Sequence, residues 1–136
     1  MNIKIILEAK LKEKIWLEGV KEYLKRLSRR VEVVETSNIE TYIENKKSFL
    51  ITLEIEGKQL TSKEFAYKLR ELECEGLSEV LFLIGGAEGL SQIVKDKSDF
   101  KFSLSNMTFL HQEAVLILIE QIYRAYKILN NEPYHR

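Results

Sequence analysis

Val80-Leu81-Phe82-Leu83-Ile84 carries no polar side chain and runs directly into Gly85-Gly86-Ala87-Glu88-Gly89. A strand apolar at every position is covered on both faces, the condition of an inner strand in a parallel sheet. Such a sheet needs crossover connections, and the flanking sequence supplies them. Asn2–Leu7 reads as a first strand through Ile3, Ile5, Ile6 and Leu7, and Val31–Glu35 is a β-branched second one. Between them, 12–29 places Trp16, Val20, Tyr23, Leu24 and Leu27 at helical spacing. The polar segment 36–47 predicts a loop with a short helix, capped at Ser37. Phe49–Ile55 predicts a third strand, stopped at Gly57. Thr61-x-x-Glu64 is a capping box opening a helix that buries Phe65, Leu69 and Leu72 and ends at Gly76. Residues 100–104 predict a further strand, and 111–130 the longest helix. The predicted fold class is α/β, a mostly parallel sheet flanked by helices. No repeat or composition break divides the 136 residues, which predicts one domain over 1–136.

The chain contains 21 Lys+Arg and 21 Asp+Glu, so its formal charge is zero. A uniformly basic domain that coats nucleic acid is therefore excluded. The distribution is uneven: 10–30 holds eight cations against three carboxylates, whereas 54–79 holds seven carboxylates against four cations. Cys74 is the one cysteine, which excludes an intrachain disulfide and Cys-x-x-Cys metal clusters, and predicts a reducing cytoplasm. The apolar run near the N-terminus is too short for a signal-peptide core. The most apolar stretch, 114–119, lies between Glu113 and Glu120 and is far shorter than the ~20 residues of a membrane span. No membrane and no metal partner are expected.

Three segments carry chemistry. Gly85–Gly89 follows the apolar strand, where parallel sheets bind ligands beyond strand carboxyl ends. Ala87 and Leu90 exclude the dinucleotide fingerprint, and the Gly-Lys-Ser/Thr of a phosphate loop is missing. A tight turn explains the glycines equally well. Ser103–Phe109 alternates hydroxyl or amide groups with apolar side chains. It suits a flat heterocycle held by backbone groups, or an ordinary turn before a helix capped by Thr108 or Ser105. The tail 130–136 gathers Tyr134, His135 and Arg136 behind Pro133, residue types that stack on bases and grip phosphate. Glu120 and Arg124 are spaced for an i,i+4 ion pair. Covalent hydrolase chemistry has no support, because no Gly-x-Ser-x-Gly is present.

The last helix has two apolar stripes. Val115, Leu118, Ile119, Ile122, Tyr126 and Leu129 form one; Ala114, Ile117, Ala125 and Ile128 form the other. One stripe suffices to lie on a sheet, so the second predicts another buried contact, most simply a homodimer.

Leu53-Glu54-Ile55-Glu56-Gly57-Lys58, Phe82 through Leu90, Leu104 through Gln112, Glu120 through Lys127 and Pro133-Tyr134-His135 occur in that order. Together they resemble the RlmH family of ribosomal RNA large-subunit methyltransferases, over nearly the whole chain. The resemblance implies a SPOUT-type α/β fold with a C-terminal trefoil knot, acting as a homodimer. It implies S-adenosyl-L-methionine as cofactor, contacted by Leu53, Gly85, Leu104, Ser105, Asn106, Met107, Thr108 and Phe109. It implies methylation of N3 of a pseudouridine in 23S rRNA within the ribosome, with His111, Arg124, Tyr134 and His135 on the RNA side. N3 of the ring carries a proton that must leave, a task for His111 or His135. Arg124 suits the developing charge or a phosphate. Two departures stand out: 36–47 is shorter than is usual in the family, and Val115 replaces an arginine expected near the substrate. A non-catalytic or retargeted nucleotide- or RNA-binding module is the alternative, separated by whether S-adenosyl-L-methionine binds.

Overall fold

A computed structural model describes residues 1–136. Its five strands are β1 (Asn2–Leu7), β2 (Val31–Glu35), β3 (Phe49–Gln59), β4 (Glu79–Ile84) and β5 (Phe100–Ser103). They form one sheet in the order β2-β1-β4-β3-β5, and every pairing is parallel. The helices are α1 (Lys14–Leu27), α2 (Ile39–Ile43), α3 (Ser62–Cys74), α4 (Gln92–Asp96) and α5 (His111–Leu129).

Side-chain alternation along the strands sets the layers. Ile3, Ile5, Leu7, Val80, Phe82 and Ile84 point to the face covered by α1, α3 and α5. Ile6, Leu81 and Leu83 point to the opposite face, where Ile39 and Ile43 of α2 and Val94 of α4 close a smaller core. This explains why 80–84 has no polar position: Val80 through Leu83 are completely inaccessible and Ile84 is nearly so.

Several local expectations are corrected. β3 does not stop at Gly57 but runs to Gln59, with a register shift against β5 between Leu53 and Lys58. A Cβ at Gly57 would lie 2.7 Å from the carbonyl carbon of Lys101, so this glycine admits the neighbouring backbone rather than ending the strand. Asn38, not Ser37, caps α2: its Oδ1 accepts from the Thr41 N–H at 3.1 Å. Helix α4 is an addition to the expected elements. Its five residues are too few for a periodic pattern, although Ser91 caps it through the Val94 N–H. Helix α1 starts at Lys14 and gives way to a 3-10 turn, Ser28–Arg30. The Thr61–Glu64 capping box is present as expected, with bonds of 2.8 and 3.1 Å.

The two ends of α5 are anchored differently. Buried Gln112 accepts from the Lys12 and Glu13 N–H groups through Oε1 at 3.0 and 2.9 Å, tying the start of α1 to the start of α5. At the far end the C-terminal tail folds back onto the helix, as described below.

Candidate active site

A cleft of about 670 Å³ opens beyond the carboxyl ends of β4 and β5, beside the middle of β3. This is where an open parallel sheet binds ligands. Three segments converge on it: Leu53–Glu56 of β3, the Ile84–Leu90 turn after β4, and the 103–110 segment that leads into α5.

The glycine segment is a tight turn and also a wall of the cleft. Gly86 and Gly89 pair in a short antiparallel bridge, with the Gly89 N–H donating to the Gly86 carbonyl at 3.0 Å. A Cβ on Gly85 would meet the Gly89 carbonyl carbon at 2.4 Å, and one on Gly86 would meet the Glu8 carbonyl oxygen at 2.4 Å. Gly89 has φ +76°, in the left-handed region. The turn thus needs its glycines to close on itself and to pack on the end of β1.

The 103–109 segment is braced from within. Ser103 Oγ donates to the Ser105 carbonyl at 2.9 Å, and Ser105 Oγ accepts from the Met107 N–H at 3.0 Å. Neither Ser105 nor Thr108 caps α5; the cap position is Leu110, whose N–H donates to Glu113 at 3.3 Å. Leu104, Ser105, Met107, Thr108 and Phe109 border the cleft, together with Leu53, Gly85 and His111. Asn106 does not: its Oδ1 accepts from Gln59 Nε2 at 2.5 Å. Met107 and Leu110 are 74% and 64% exposed, an apolar rim facing solvent. Glu54, Glu56 and Lys95 also border the cleft, and sequence reasoning does not single them out. Glu54 and Glu56 do carry a signal, since they alternate beyond the apolar part of β3.

Arg124, Tyr134 and His135 form a separate cluster near the other end of α5. Arg124 donates to Glu120 Oε2 at 3.0 Å and to His135 Nδ1 at 3.1 Å, and its guanidinium lies 4.8 Å above the Tyr134 ring. Tyr134 donates to the same Glu120 oxygen at 2.6 Å. Tyr23 of α1 is 3.2 Å from the Tyr134 hydroxyl and, since Tyr134 spends its proton on Glu120, serves as donor. Burial, then the bond to Glu120, pushes the Tyr134 phenol well above its ordinary value, so it stays protonated. An arginine only donates, so His135 Nδ1 accepts and Nε2 carries the ring proton. Arg124 Nε is buried without a partner. In the sequence Tyr23 reads as an apolar helix position, and its periodicity hides the partner of its hydroxyl.

Val115 is fully buried in the core, so no charge at that position would face a substrate here. Ala114 and Ala125 of the second stripe are likewise buried in the chain's own core, while Ile117 and Ile128 remain partly exposed.

Residues 1–135 match the family described as "Predicted SPOUT methyltransferase". The ribosomal RNA large subunit methyltransferase H of Carboxydothermus hydrogenoformans is 42% identical over 160 aligned positions, covering all of both chains. That of Leuconostoc mesenteroides is 42% identical over 159, again covering both completely. The chain belongs to the RlmH family. Both alignments are longer than this chain's 136 residues, so these relatives carry insertions relative to it. The SpoU methyltransferase AviRb from Streptomyces viridochromogenes, solved with AdoMet, superposes with a TM-score of 0.54 at 11% identity, over 91% of this chain and 57% of that one. The tRNA (m1G37) methyltransferase from Aquifex aeolicus gives 0.54 at 19% identity, over 90% and 69%. These RlmH and SPOUT likenesses agree with the parallel α/β sheet. No helix is long and apolar enough to cross a membrane.

Proposed function

We propose that this RlmH-family chain methylates N3 of a pseudouridine in 23S rRNA on the assembled ribosome, in the cytoplasm, using S-adenosyl-L-methionine. The observation that carries this reading is a coincidence of two independent sets. Of the eight cofactor residues implied by motif, seven border one cleft, namely Leu53, Gly85, Leu104, Ser105, Met107, Thr108 and Phe109, and Asn106 lies outside it.

The cleft suits that cofactor. Its volume falls within the several hundred Å³ usual for small-molecule sites. Leu53, Ile84, Leu104 and Phe109 offer apolar surface to an adenine ring. Glu54 and Glu56 outnumber Lys95 in the lining, which favours a cationic sulfonium. When bound, the cofactor supplies an electrophilic methyl group. The protein's part is to orient the acceptor ring and take its proton.

His111 is the better proton acceptor of the two histidines. It borders the cleft at the first residue of α5. The His135 ring already accepts from Arg124 and presents only its Nε2–H outward. Arg124 and Tyr134 suit the RNA side, the first as a fixed cation and the second as a stacking ring.

His111 and Arg124 are 13 residues apart on α5, which is about 20 Å along the axis. One protomer therefore does not deliver its tail cluster to its own cleft. A two-fold homodimer resolves this by facing one protomer's tail toward the other's cleft. Ile15 of α1, 71% exposed, and the partly exposed Ile117 of α5 supply apolar surface for that contact. The trefoil knot of the SPOUT class, formed by the same converging C-terminal segments, and a single domain over 1–136 belong to this reading.

Titration calorimetry with S-adenosyl-L-methionine tests it. Saturable binding that Phe109→Ala weakens at least tenfold is expected. Absence of binding at millimolar ligand would leave a non-catalytic module.

A further inference from the structure

Beyond the cleft, a second hollow of about 200 Å³ lies between the end of α1 and the last turns of α5. Arg26, Ser28, Arg30, Tyr123, Tyr126 and Lys127 border it. Arginines here lie over tyrosine rings: Arg26 Cζ is 5.2 Å from the Tyr23 centroid and 5.5 Å from that of Tyr123, and Arg30 Cζ is 4.9 Å from that of Tyr126. A guanidinium attracted to a ring face by cation–π interaction still has N–H donors to offer an oxyanion. Arg29 and Arg30 form no ion pair, whereas Arg26 and Lys127 are paired with Glu22 and Glu132.

Helix-dipole complementation accounts for only part of this charge. Lys25 and Arg26 occupy the last turn of α1, where a cation is favoured. Arg29 and Arg30 lie past that turn, beyond Ser28, whose φ of +55° is uncommon for a residue with a side chain. Over 21–30, five cations stand against Glu22 alone. The hollow also adjoins the tail cluster, since the Tyr123 ring lies 4.9 Å from that of Tyr134.

We propose that the surface formed by Lys25, Arg26, Arg29 and Arg30, with the hollow over Tyr123 and Tyr126, binds the phosphodiester backbone of structured RNA and positions it beside the Arg124–Tyr134–His135 cluster. This rests on an RNA substrate as proposed above, and it assigns a backbone grip outside the cofactor cleft. Phosphate contacts of this kind orient a substrate without reading its sequence. The zero net charge then has a counterpart in space: Arg29 and Arg30, both outside any ion pair, stand together at one end of the α1–α5 pair, so binding favours a shaped RNA over arbitrary strands.

The test is binding of the full-length protein to purified large ribosomal subunits across a salt series, with S-adenosyl-L-methionine affinity measured in parallel. Two sets of variants are used. Lys25→Gln with Arg29→Gln removes exposed cations that pack on nothing in the core. Arg30→Gln removes the cation over Tyr126, and Arg30→Lys keeps its charge without the forked donors. The double variant is expected to lose at least tenfold in subunit affinity at physiological salt, and the salt slope is expected to fall by about 0.7–0.9 for each phosphate no longer neutralised. Arg30→Gln is expected to lose more affinity than Arg30→Lys, with cofactor affinity unchanged in all. Unchanged subunit affinity and salt slope in the double variant would overturn the inference. So would equal losses of RNA and cofactor affinity, or a wild-type protein that binds no subunit. A wild type that binds subunits through these arginines but methylates nothing would overturn the proposed reaction and leave the backbone grip supported.

Discussion

Tyr134 donates a 2.6 Å hydrogen bond to Glu120 Oε2, the same oxygen that accepts from Arg124 at 3.0 Å. One carboxylate thereby fixes both a residue of the C-terminal tail and a cation of α5. A bond to a charged acceptor of this kind contributes about 1.5–3 kcal/mol where solvent is excluded, and less where water competes. Tyr134→Phe is therefore expected to release the tail while leaving the sheet intact. Hydrogen exchange should show faster amide exchange over 132–136 with β1 and β4 unchanged. Identical protection in both proteins would mean that the contact holds nothing in place.

Gln112 makes a longer-range connection. Its Oε1 accepts from both the Lys12 and Glu13 N–H groups, across most of the chain's length. Gln112→Ala leaves both donors without that partner and is expected to lower stability by about 2 kcal/mol. Gln112→Glu keeps the acceptor and should recover most of the loss. Urea unfolding of the three proteins checks the order.

Gly57 reads in the sequence as the end of a strand, and it sits inside one. Gly57→Ala places a methyl 2.7 Å from the Lys101 carbonyl carbon. Overpacking against backbone is expected to cost about 1–3 kcal/mol. Because β3 and β5 also shape the cleft, cofactor affinity should fall with it. A neutral effect in thermal unfolding would show that the β3–β5 bulge adapts without strain.

The Lys4–Glu79 pair, 3.2 Å apart across β1 and β4, gives a pH signature. The hydrogen bond from Ser48, and after it the bond and charge of Lys4, hold Glu79 below its ordinary value despite burial. The bond to Glu79 raises Lys4, again against burial. A lowered carboxylate contributes stability above its unfolded pKa of about 4.3 and loses it as pH falls further. A raised lysine contributes below about 10.4 and loses it as pH rises further. The pair's contribution, about 1 kcal/mol or less for groups still partly in water, is thus complete between those limits. Glu79→Gln should flatten the acid side of the stability–pH curve relative to wild type. An unchanged difference between pH 5 and pH 3 would contradict this.

How much is legible in the sequence depends on the range of each interaction. The apolar run at 80–84 announces a two-sided strand, and the Thr61–Glu64 spacing announces a cap, because both causes lie within a few residues. The α2 cap falls one position from its expected place, since Ser37 and Asn38 are both good caps and only backbone geometry chooses. Gly57 misleads because its reason is the β5 backbone, over forty residues away. The cleft-lining residues are recognisable mainly as a set of motifs. That Asn106 bonds Gln59 instead of bordering the cleft, and that Arg124, Tyr134 and His135 gather at the opposite end of α5, requires coordinates. The carboxylates Glu54 and Glu56 look like strand-end surface because nothing nearby in sequence marks a cavity.

The proposed reaction stands or falls on mass spectrometry of 23S rRNA from a strain lacking this protein and from the same strain complemented with it. An N3-methylated pseudouridine is predicted to disappear in the first and return in the second, and complementation with His111→Ala is predicted to restore little of it. An rRNA methylation pattern unchanged by the deletion would contradict the assignment.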